Sequence, residues 1–484
     1  MDQQSMPLVE ALLKHVDKQP VSFHVPGHKN GSVMSSGIKN IFASVLPFDL
    51  TELTNLDDLH DAEGVIASAQ KLAAELYGAS ETLFLVGGST SGNLAMILGA
   101  FNQGDIVLVQ RDSHKSVING IRLAGLKPVF LFPEYDGESQ LSAGISLSTV
   151  EKAFAIYPEA KGLILTSPTY YGWAPRLEPI VRLAHTRGAA VVVDEAHGAH
   201  FMAGSMFPDS ALEQGADAVV HSAHKTLPAL TMGAFLHLGK NSSLSADVLK
   251  QTASMVQSSS PSYPVMASLD GARKYLFDMK QKSGEALTNH FITVRDKIQK
   301  ASGLSLVTPR GISHDLLKCI VKAPEGYSGW DLQVYLENEN IFVELADHKH
   351  VLLVLPLAEK PLPTAVYEKL HSSVERMKAE GKADKSKIPF NMPSFHSKII
   401  HTEEGKSLFH VKQWKESIEK ANGKKAGTDI IPYPPGVPLF LKGEIIKGER
   451  YIYLLDWLKN GGRVQGAEYY HHDWYISIQE KDEE

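Results

Sequence analysis

The sequence predicts an α/β protein whose largest domain is built on a doubly wound, mostly parallel sheet. Short apolar runs recur between residues 80 and 240, among them TLFLV, DIVLV, GLILTSP and AAVVVDEAH. Amphipathic stretches such as EPIVRLAHTRG separate the runs, and this alternation is typical of strands joined by crossover helices. Ligands of such sheets bind beyond the carboxyl ends of the strands. We therefore expect a functional site at the edge where the runs end.

Length and composition are those of an ordinary globular protein. The 484 residues, 43% hydrophobic and 21% charged, are enough for two or three domains. The formal net charge of −7 shows no excess of positive charge that would attract nucleic acid, and we predict no nucleic-acid partner. The single cysteine, Cys319, is typical of a reducing compartment. Without an export signal or an apolar run of about 20 residues, the chain is predicted to be cytoplasmic and to have no membrane span.

Changes in pattern along the chain predict four segments. Residues 1–30 form an N-terminal arm, and residues 31–276 form the large domain with the parallel sheet. Residues 277–375 are predicted to form a smaller α+β domain, because a helical stretch is followed by short apolar runs. The Lys-rich stretch MKAEGKADKSKIP leads into residues 376–484, a linker and a C-terminal α+β domain.

Four polar clusters each follow a predicted strand, and we expect them to meet on one rim: GGSTSGN, SPTYYGW, DEAHGAH and SAHKT. DEAH is also the box of a helicase family, but the phosphate loop that should precede it is missing. The only GKS, at residues 405–407, lies downstream. A metal site is the second alternative, at His197, His200, His221 and His224. The lysine of SAHK would bring an ammonium group next to that metal, so no metal is predicted.

The same rim offers the groups that an aromatic aldehyde with a pyridine ring and a phosphate requires. Lys225 could form an imine, and Asp194 could keep the ring nitrogen protonated. Residues 87–91 form a turn of glycines and hydroxyls that opens a helix and suits a phosphate. Each signal alone has an ordinary explanation as a helix cap, a surface lysine or a tight turn. Their order along the chain favours the cofactor interpretation more than any one of these signals does.

The ordered motifs resemble those of one enzyme family: GGSTSGN, RDSHKS, SPTYYG, VVVDEAHGAH, HSAHKT and SSPSYPVMASLD. They are similar to signatures of the Orn/Lys/Arg decarboxylases, fold-type I enzymes that depend on pyridoxal 5'-phosphate (PLP). FHVPGHKNG and YPPGVPLFLKGE extend the resemblance from residue 23 to about residue 445. The resemblance implies an aspartate aminotransferase-like large domain, and decarboxylation of a basic amino acid for polyamine synthesis. Arginine or lysine is favoured over ornithine, with agmatine, cadaverine or putrescine as the product.

The resemblance also implies a role for each site residue. Lys225 would be the Schiff-base lysine, Asp194 the pyridinium partner and His114 the ring-stacking imidazole. His224 would position the substrate carboxylate or relay the proton to Cα. The implied cofactor-binding residues are Ser89, Thr90, Ser91, His114, Asp194, Ala196, His197, Ser222, His224, Lys225 and Ser259. A PLP-dependent aminotransferase remains the alternative within this cofactor class, because it shares the lysine and the aspartate.

Substrate choice and assembly follow from the same resemblance. Glu344, assisted by Asp347, would face the distal cation of the substrate. Ser259 lies in a serine segment that, in the family, reaches the phosphate in the partner subunit, which implies a homodimer with shared active sites. The chain resembles the shorter, Gram-positive-type members, so a dimer or tetramer is expected instead of a large ring assembly.

Overall fold

The computed structural model describes residues 2–282, 284–380, 399–401, 411–433 and 436–479. The helices are α1 Pro7–Val16, α2 Ser36–Phe42, α3 Val65–Tyr77, α4 Gly88–Ala100, α5 Lys115–Leu123, α6 Leu147–Ile156, α7 Glu178–Thr186, α8 Ala223–Thr226, α9 Ala246–Met255, α10 Tyr263–Lys280, α11 Gly284–Ser302, α12 Gly329–Asn338, α13 Thr364–Glu380 and α14 Gly448–Lys459. Short 3-10 turns span Leu46–Phe48, Phe201–Ala203 and Ile418–Lys420.

The strands are β1 Glu81–Leu85, β2 Ile106–Gln110, β3 Lys127–Leu131, β4 Glu134–Tyr135, β5 Ser142–Gly144, β6 Gly162–Thr166, β7 Trp173–Ala174, β8 Ala190–Asp194, β9 Ala218–His221, β10 Ala234–Leu238, β11 Leu306–Val307, β12 Ser313–His314, β13 Lys318–Lys322, β14 Leu345–Ala346, β15 His350–Val354, β16 Ile399–His401, β17 Gln413–Ser417, β18 Lys425–Ala426, β19 Ile431–Pro432, β20 Val464–Gln465, β21 Ala467–Tyr470 and β22 Asp473–Gln479.

The main sheet has the strand order β1-β10-β9-β8-β6-β2-β3-β16. Its central strands, β9, β8, β6, β2 and β3, run parallel, whereas β10 and β16 pair with their neighbours in the antiparallel sense. The predicted α/β class with a mostly parallel sheet is therefore confirmed. The apolar runs are continuous because both faces are covered: Val192 packs into one core cluster, and Val191 and Val193 pack into another on the opposite face.

Strand direction places the polar clusters together. β1 pairs antiparallel with β10, and β10 pairs antiparallel with β9. β1 therefore runs in the same direction as the central strands, and the turn that follows it lies at their carboxyl ends. The predicted rim is thus formed by the segments that follow β1, β2, β6, β8 and β9.

Two smaller units pack beside the main sheet. The sheet β11-β13-β15-β14 is covered by α11, α12 and α13. A C-terminal sheet, β17-β22-β18 with β21 on β22, shares a core with α14. Most of the predicted linker and the GKS at residues 405–407 lie outside the described residues. Within the described ranges, no helix is long and apolar enough to cross a membrane.

Candidate active site

A cavity opens at the carboxyl ends of the parallel strands. Its wall includes one or more residues from each of the four predicted clusters: Ser89, Tyr170, Tyr171, Asp194, Ala196, His197 and Lys225. His114 joins them from the loop after β2. The C-terminal unit closes the other side with Pro438, Leu439 and Trp457. The four clusters therefore meet around one space, as the strand pattern predicts, and the C-terminal unit adds residues that the pattern does not predict.

Asp194, the last residue of β8, is a buried carboxylate in this wall, with 3% of its surface exposed. One carboxylate oxygen accepts a hydrogen bond from Nδ2 of Asn93 at 2.8 Å, and the other accepts one from the backbone of Ala196 at 3.2 Å. Both donors are uncharged. A buried carboxylate is costly without a cationic partner, so its surroundings fit a protonated pyridine nitrogen arriving from the cavity.

His114 is held as a flat, neutral ring beside Asp194. It caps α5, and its Nδ1 accepts hydrogen bonds from the backbone of Ser116 at 3.2 Å and from the Ser116 hydroxyl at 2.8 Å. Its proton is therefore on Nε2. Burial lowers the pKa of His114, although the charge of Asp194 opposes this shift. An uncharged imidazole is suited to stacking on an aromatic ring.

The turn before α4 brings Ser89 to the cavity wall. Gly88 has a positive φ of 73°, and a Cβ on Gly87 would lie 2.9 Å from the Ser91 hydroxyl, so both positions favour glycine. Ser89 faces the cavity at the start of the helix and accepts a hydrogen bond from the Ser222 hydroxyl at 2.7 Å. Hydroxyls and free amides at a helix N-terminus suit a phosphate.

Lys225 and a second lysine flank His197. Lys225 Nζ lies 3.1 Å from Nε2 of His197, and Lys318 Nζ lies 2.9 Å from Nδ1 of the same ring. Burial lowers the pKa of Lys225, while the charges of Asp194 and Glu344 oppose this shift. Burial, reinforced by the two lysines, holds the pKa of His197 well below its usual range. The ring is therefore neutral.

Comparison with known proteins identifies the family. The family model described as Orn/Lys/Arg decarboxylase, major domain, matches residues 6–315. The chain belongs to the Orn/Lys/Arg decarboxylase family. The Bacillus subtilis protein YaaO, described as uncharacterized, is 43% identical over 468 residues, covering 95% of this chain and 96% of YaaO. The arginine decarboxylase of Halalkalibacterium halodurans is 33% identical over 479 residues, covering 96% of each chain.

Solved structures share the fold of this family member. The lysine decarboxylase LdcF of Francisella novicida superposes with a TM-score of 0.81 at 18% identity, covering 98% of this chain and 81% of LdcF. The constitutive lysine decarboxylase of Escherichia coli gives a TM-score of 0.78 at 17% identity, covering 99% of this chain and 82% of that chain. The predicted fold-type I architecture is confirmed.

Several cofactor residues predicted for this decarboxylase lie behind or beside the cavity wall. Ser91 is buried and donates its hydroxyl hydrogen bond to the carbonyl of Gly88, so it shapes the turn. Ser222 is buried behind Ser89, and Thr90 is exposed. His224 donates from Nδ1 to the carbonyl of Gly233 at 3.0 Å, which leaves Nε2 as its acceptor. Direct contacts of these residues with PLP stay predictions.

The two residues predicted to select the substrate differ in exposure and in their hydrogen-bond partners. Glu344 is an exposed carboxylate that accepts a hydrogen bond from the Tyr170 hydroxyl at 2.8 Å. Asp347 lies in the cavity wall, where it accepts hydrogen bonds from Tyr171, His350 and backbone amides. These contacts already occupy both Asp347 oxygens. Ser259 is exposed and lies outside the cavity wall of its own chain.

The other histidines of the decarboxylase rim have partners of their own. His200 pairs with Asp315 at 2.9 Å, and both side chains are fully buried. His221 pairs with Glu195, the second acid of DEAH, at 2.7 Å. Within the described residues, no three metal-ligating side chains are grouped to hold an ion. The metal alternative is therefore not supported at these histidines.

Sequence reasoning missed two residues of the decarboxylase site. Asn93 belongs to the GGSTSGN motif but has no predicted role, and Lys318 lies in SHDLLKCIV. For Lys318 a signal is present, because a lysine within the apolar run LLKCIV is out of place on a buried strand. For Asn93 the signal is its position one turn into a helix that opens on the rim.

Proposed function

We propose that the chain uses PLP to decarboxylate a basic amino acid, with arginine as the first candidate and lysine as the second. The observation that carries the proposal is the buried carboxylate of Asp194, held by uncharged donors in the same cavity wall as Lys225. Relatives named arginine decarboxylase support arginine. The products would be carbon dioxide and agmatine, or cadaverine from lysine, for polyamine synthesis. The single cysteine supports a cytoplasmic location.

When bound, PLP supplies an aldehyde carbon and an electron-withdrawing pyridinium ring. The chain's own residues hold and orient these groups. Lys225 provides the amine for the aldehyde, and Asp194 keeps the ring nitrogen protonated through its charge. His114 would cover one face of the ring, while the small side chain of Ala196 would leave room on the other. Ser89 and the first amides of α4 would hold the phosphate.

Two side chains are proposed to act on the substrate, one at its distal cation and one at a proton. Glu344 is proposed to bind the distal cation, with Tyr170 orienting the carboxylate through its hydroxyl. His224 is proposed to hold or move a proton at Nε2, since its Nδ1 is bound to Gly233. Burial lowers the pKa of His224, so this nitrogen is free of its proton at neutral pH.

The working unit is proposed to be a homodimer or a larger homo-oligomer with shared active sites. The segment from residue 21 to 45 exposes large apolar side chains, including Phe23 at 94% and Val21 at 80%. Exposed apolar clusters mark protein interfaces. The hydroxyl of Ser259, exposed on its own chain, would reach the phosphate site in the partner.

Mixing inactive Lys225→Ala chains with inactive Ser259→Leu chains should restore activity, because mixed dimers contain one complete site.

An absorbance spectrum followed by a product assay tests the activity. We expect a band at ~420 nm, as for a protonated imine of this cofactor with lysine, and carbon dioxide release from arginine or lysine. Lys225→Ala should abolish both, whereas Lys322→Ala, on the exposed end of β13, should change neither. A keto acid in place of carbon dioxide would identify an aminotransferase. A missing band after addition of PLP contradicts the proposal.

A further inference from the structure

Tyr170 connects the surroundings of Lys225 with the carboxylate proposed to bind the substrate. Its ring packs edge-on against the imidazole of His197, with the ring centres 4.6 Å apart and the planes at 62°. Nε2 of the same imidazole lies 3.1 Å from Nζ of Lys225. The hydroxyl at the tip of Tyr170 donates a hydrogen bond of 2.8 Å to Glu344. Three consecutive contacts therefore join Lys225 to Glu344 through one tyrosine.

Lys225 and Glu344 are also close enough to interact through charge. Burial lowers the pKa of Lys225, and the charge of Glu344 is one of the two that oppose this shift. Burial and the same carboxylate raise the pKa of Tyr170, so its hydroxyl keeps the hydrogen that it donates. Tyr170 and Lys225 line the cavity, whereas Glu344 is exposed beyond the tip of the tyrosine. An amino acid held at both Lys225 and Glu344 would extend along Tyr170.

The segment that carries Tyr170 is fixed to the part of the chain between β12 and β15. The hydroxyl of the next residue, Tyr171, donates to Asp347. The carbonyl of Gly172 accepts a hydrogen bond from the amide of Asp315 at 2.8 Å, and β7 pairs with β12 directly afterwards. A tyrosine has a rigid ring and only two side-chain torsions, so little freedom remains. Tyr170 therefore acts as a spacer of constant length.

We propose that Tyr170 is a specificity-determining residue that sets the separation between Lys225 and Glu344, and with it the length of the substrate side chain. The inference rests on the proposed function, because it takes Lys225 and Glu344 as the two ends of the substrate site. The ligands are amino acids that end in an ammonium or guanidinium group. A side chain one methylene too short or too long would leave its cation out of contact with the carboxylate.

The kinetic test compares amino acids that differ by one methylene: ornithine with lysine, and arginine with homoarginine. The chain loaded with PLP should favour one member of at least one pair by about tenfold or more in kcat/KM. In Tyr170→Phe the ring remains, but Glu344 loses the hydroxyl that holds it. We expect this ratio to fall by about threefold or more, with a higher KM for the preferred substrate and a nearly unchanged kcat.

Tyr469→Phe is the matched control, because it removes the hydroxyl of an exposed tyrosine in the C-terminal unit. This variant should keep the wild-type ratio. An unchanged ratio in a folded Tyr170→Phe chain overturns the inference, and so does a wild type that accepts both members of each pair equally well.

Labelling of Glu344 provides a second measurement that needs neither PLP nor catalysis. The PLP-free chain is treated with a water-soluble carbodiimide and an amine, and modification of Glu344 is followed by mass spectrometry. Tyr170→Phe removes the hydrogen bond to the carboxylate, so we expect labelling about fivefold faster than in the wild type. Equal rates in these two chains also overturn the inference. Absence of carbon dioxide from all four amino acids contradicts the proposed function instead, so the two failures are distinguishable.

Discussion

The side-chain amide of Asn93 donates one hydrogen bond to Asp194 and a second, through the hydroxyl of Ser116, to the His114 side of the cavity. Both bonds from Asn93 are 2.8 Å long, and Asn93 is 1% exposed. The Ser116 hydroxyl donates in turn to Nδ1 of His114. One buried amide thus connects the proposed pyridinium partner with the proposed ring-stacking imidazole, and fixes both before the cofactor arrives.

Asn93→Leu should weaken PLP binding about tenfold or more. A hydrogen bond to a charged acceptor contributes about 1.5–3 kcal/mol, and the variant also leaves the Ser116 hydroxyl without its donor. The measurement is an absorbance titration of the stripped chain with PLP. Asn102→Leu, on an exposed loop, is the matched control. Equal PLP affinity in the two variants would show that Asn93 does not organise the site.

Asp315→Leu should destabilise the fold by about 3 kcal/mol, because it leaves His200 buried without its partner. Asp315 also accepts a hydrogen bond from the amide of Leu317. Urea denaturation gives the free energy of unfolding, with Asp296→Leu on the exposed face of α11 as the control. The double variant His200→Leu with Asp315→Leu should lose less stability than the single variant, since the His200 imidazole is then no longer buried without its partner, while the Leu317 amide is affected equally in both. A larger loss in the double variant contradicts this explanation.

Glu444→Gln should loosen the C-terminal wall of the cavity. Glu444 lies 3.3 Å from Arg111 and 2.9 Å from Arg450. Although burial opposes ionisation, these two guanidinium groups hold the pKa of Glu444 below its usual range. The variant would leave the buried Arg111 and the partly buried Arg450 without their shared carboxylate, at a cost of about 3 kcal/mol.

Limited proteolysis measures this loosening, with cleavage expected to be several-fold faster near Leu439. Glu419→Gln, at an exposed position of the same unit, should be cleaved at the wild-type rate. Identical digestion of both variants would show that the ion pairs do not hold the segment.

Stability should fall as the pH decreases from about 6.5 to 4, in part because of His348. Burial lowers the pKa of His348 to about 4, although the charge of Asp347 opposes this shift. Over that interval the unfolded chain binds a proton at this position and the folded chain does not, so the free energy of unfolding decreases with falling pH. The contribution is on the order of 3 kcal/mol.

His348→Asn should therefore lose less stability than the wild type between pH 6.5 and pH 4 in urea denaturation. His371→Asn, at an exposed position on α13, should show the wild-type dependence. The explanation is wrong if His348→Asn loses as much stability as the wild type over the same interval.

Local pattern in the sequence predicted the main sheet and the rim correctly. Valine runs such as residues 191–193 are apolar on both faces, and a strand with two apolar faces must be buried between layers. The polar residues that directly follow such runs are carried to the same edge by strand direction alone. Lys225 and Asp194 could therefore be placed on neighbouring strands, because few residues separate each of them from its strand.

The fold class, the family and the chemical groups on the rim can be read from the sequence, since short-range periodicity and ordered motifs carry that information. The groups behind the rim depend on tertiary packing. Lys318 reaches His197 from a separate sheet, 121 positions away, and Asp315 reaches His200 from 115 positions away. Such pairings depend on how separately patterned units pack against each other, and no local rule of spacing records the result.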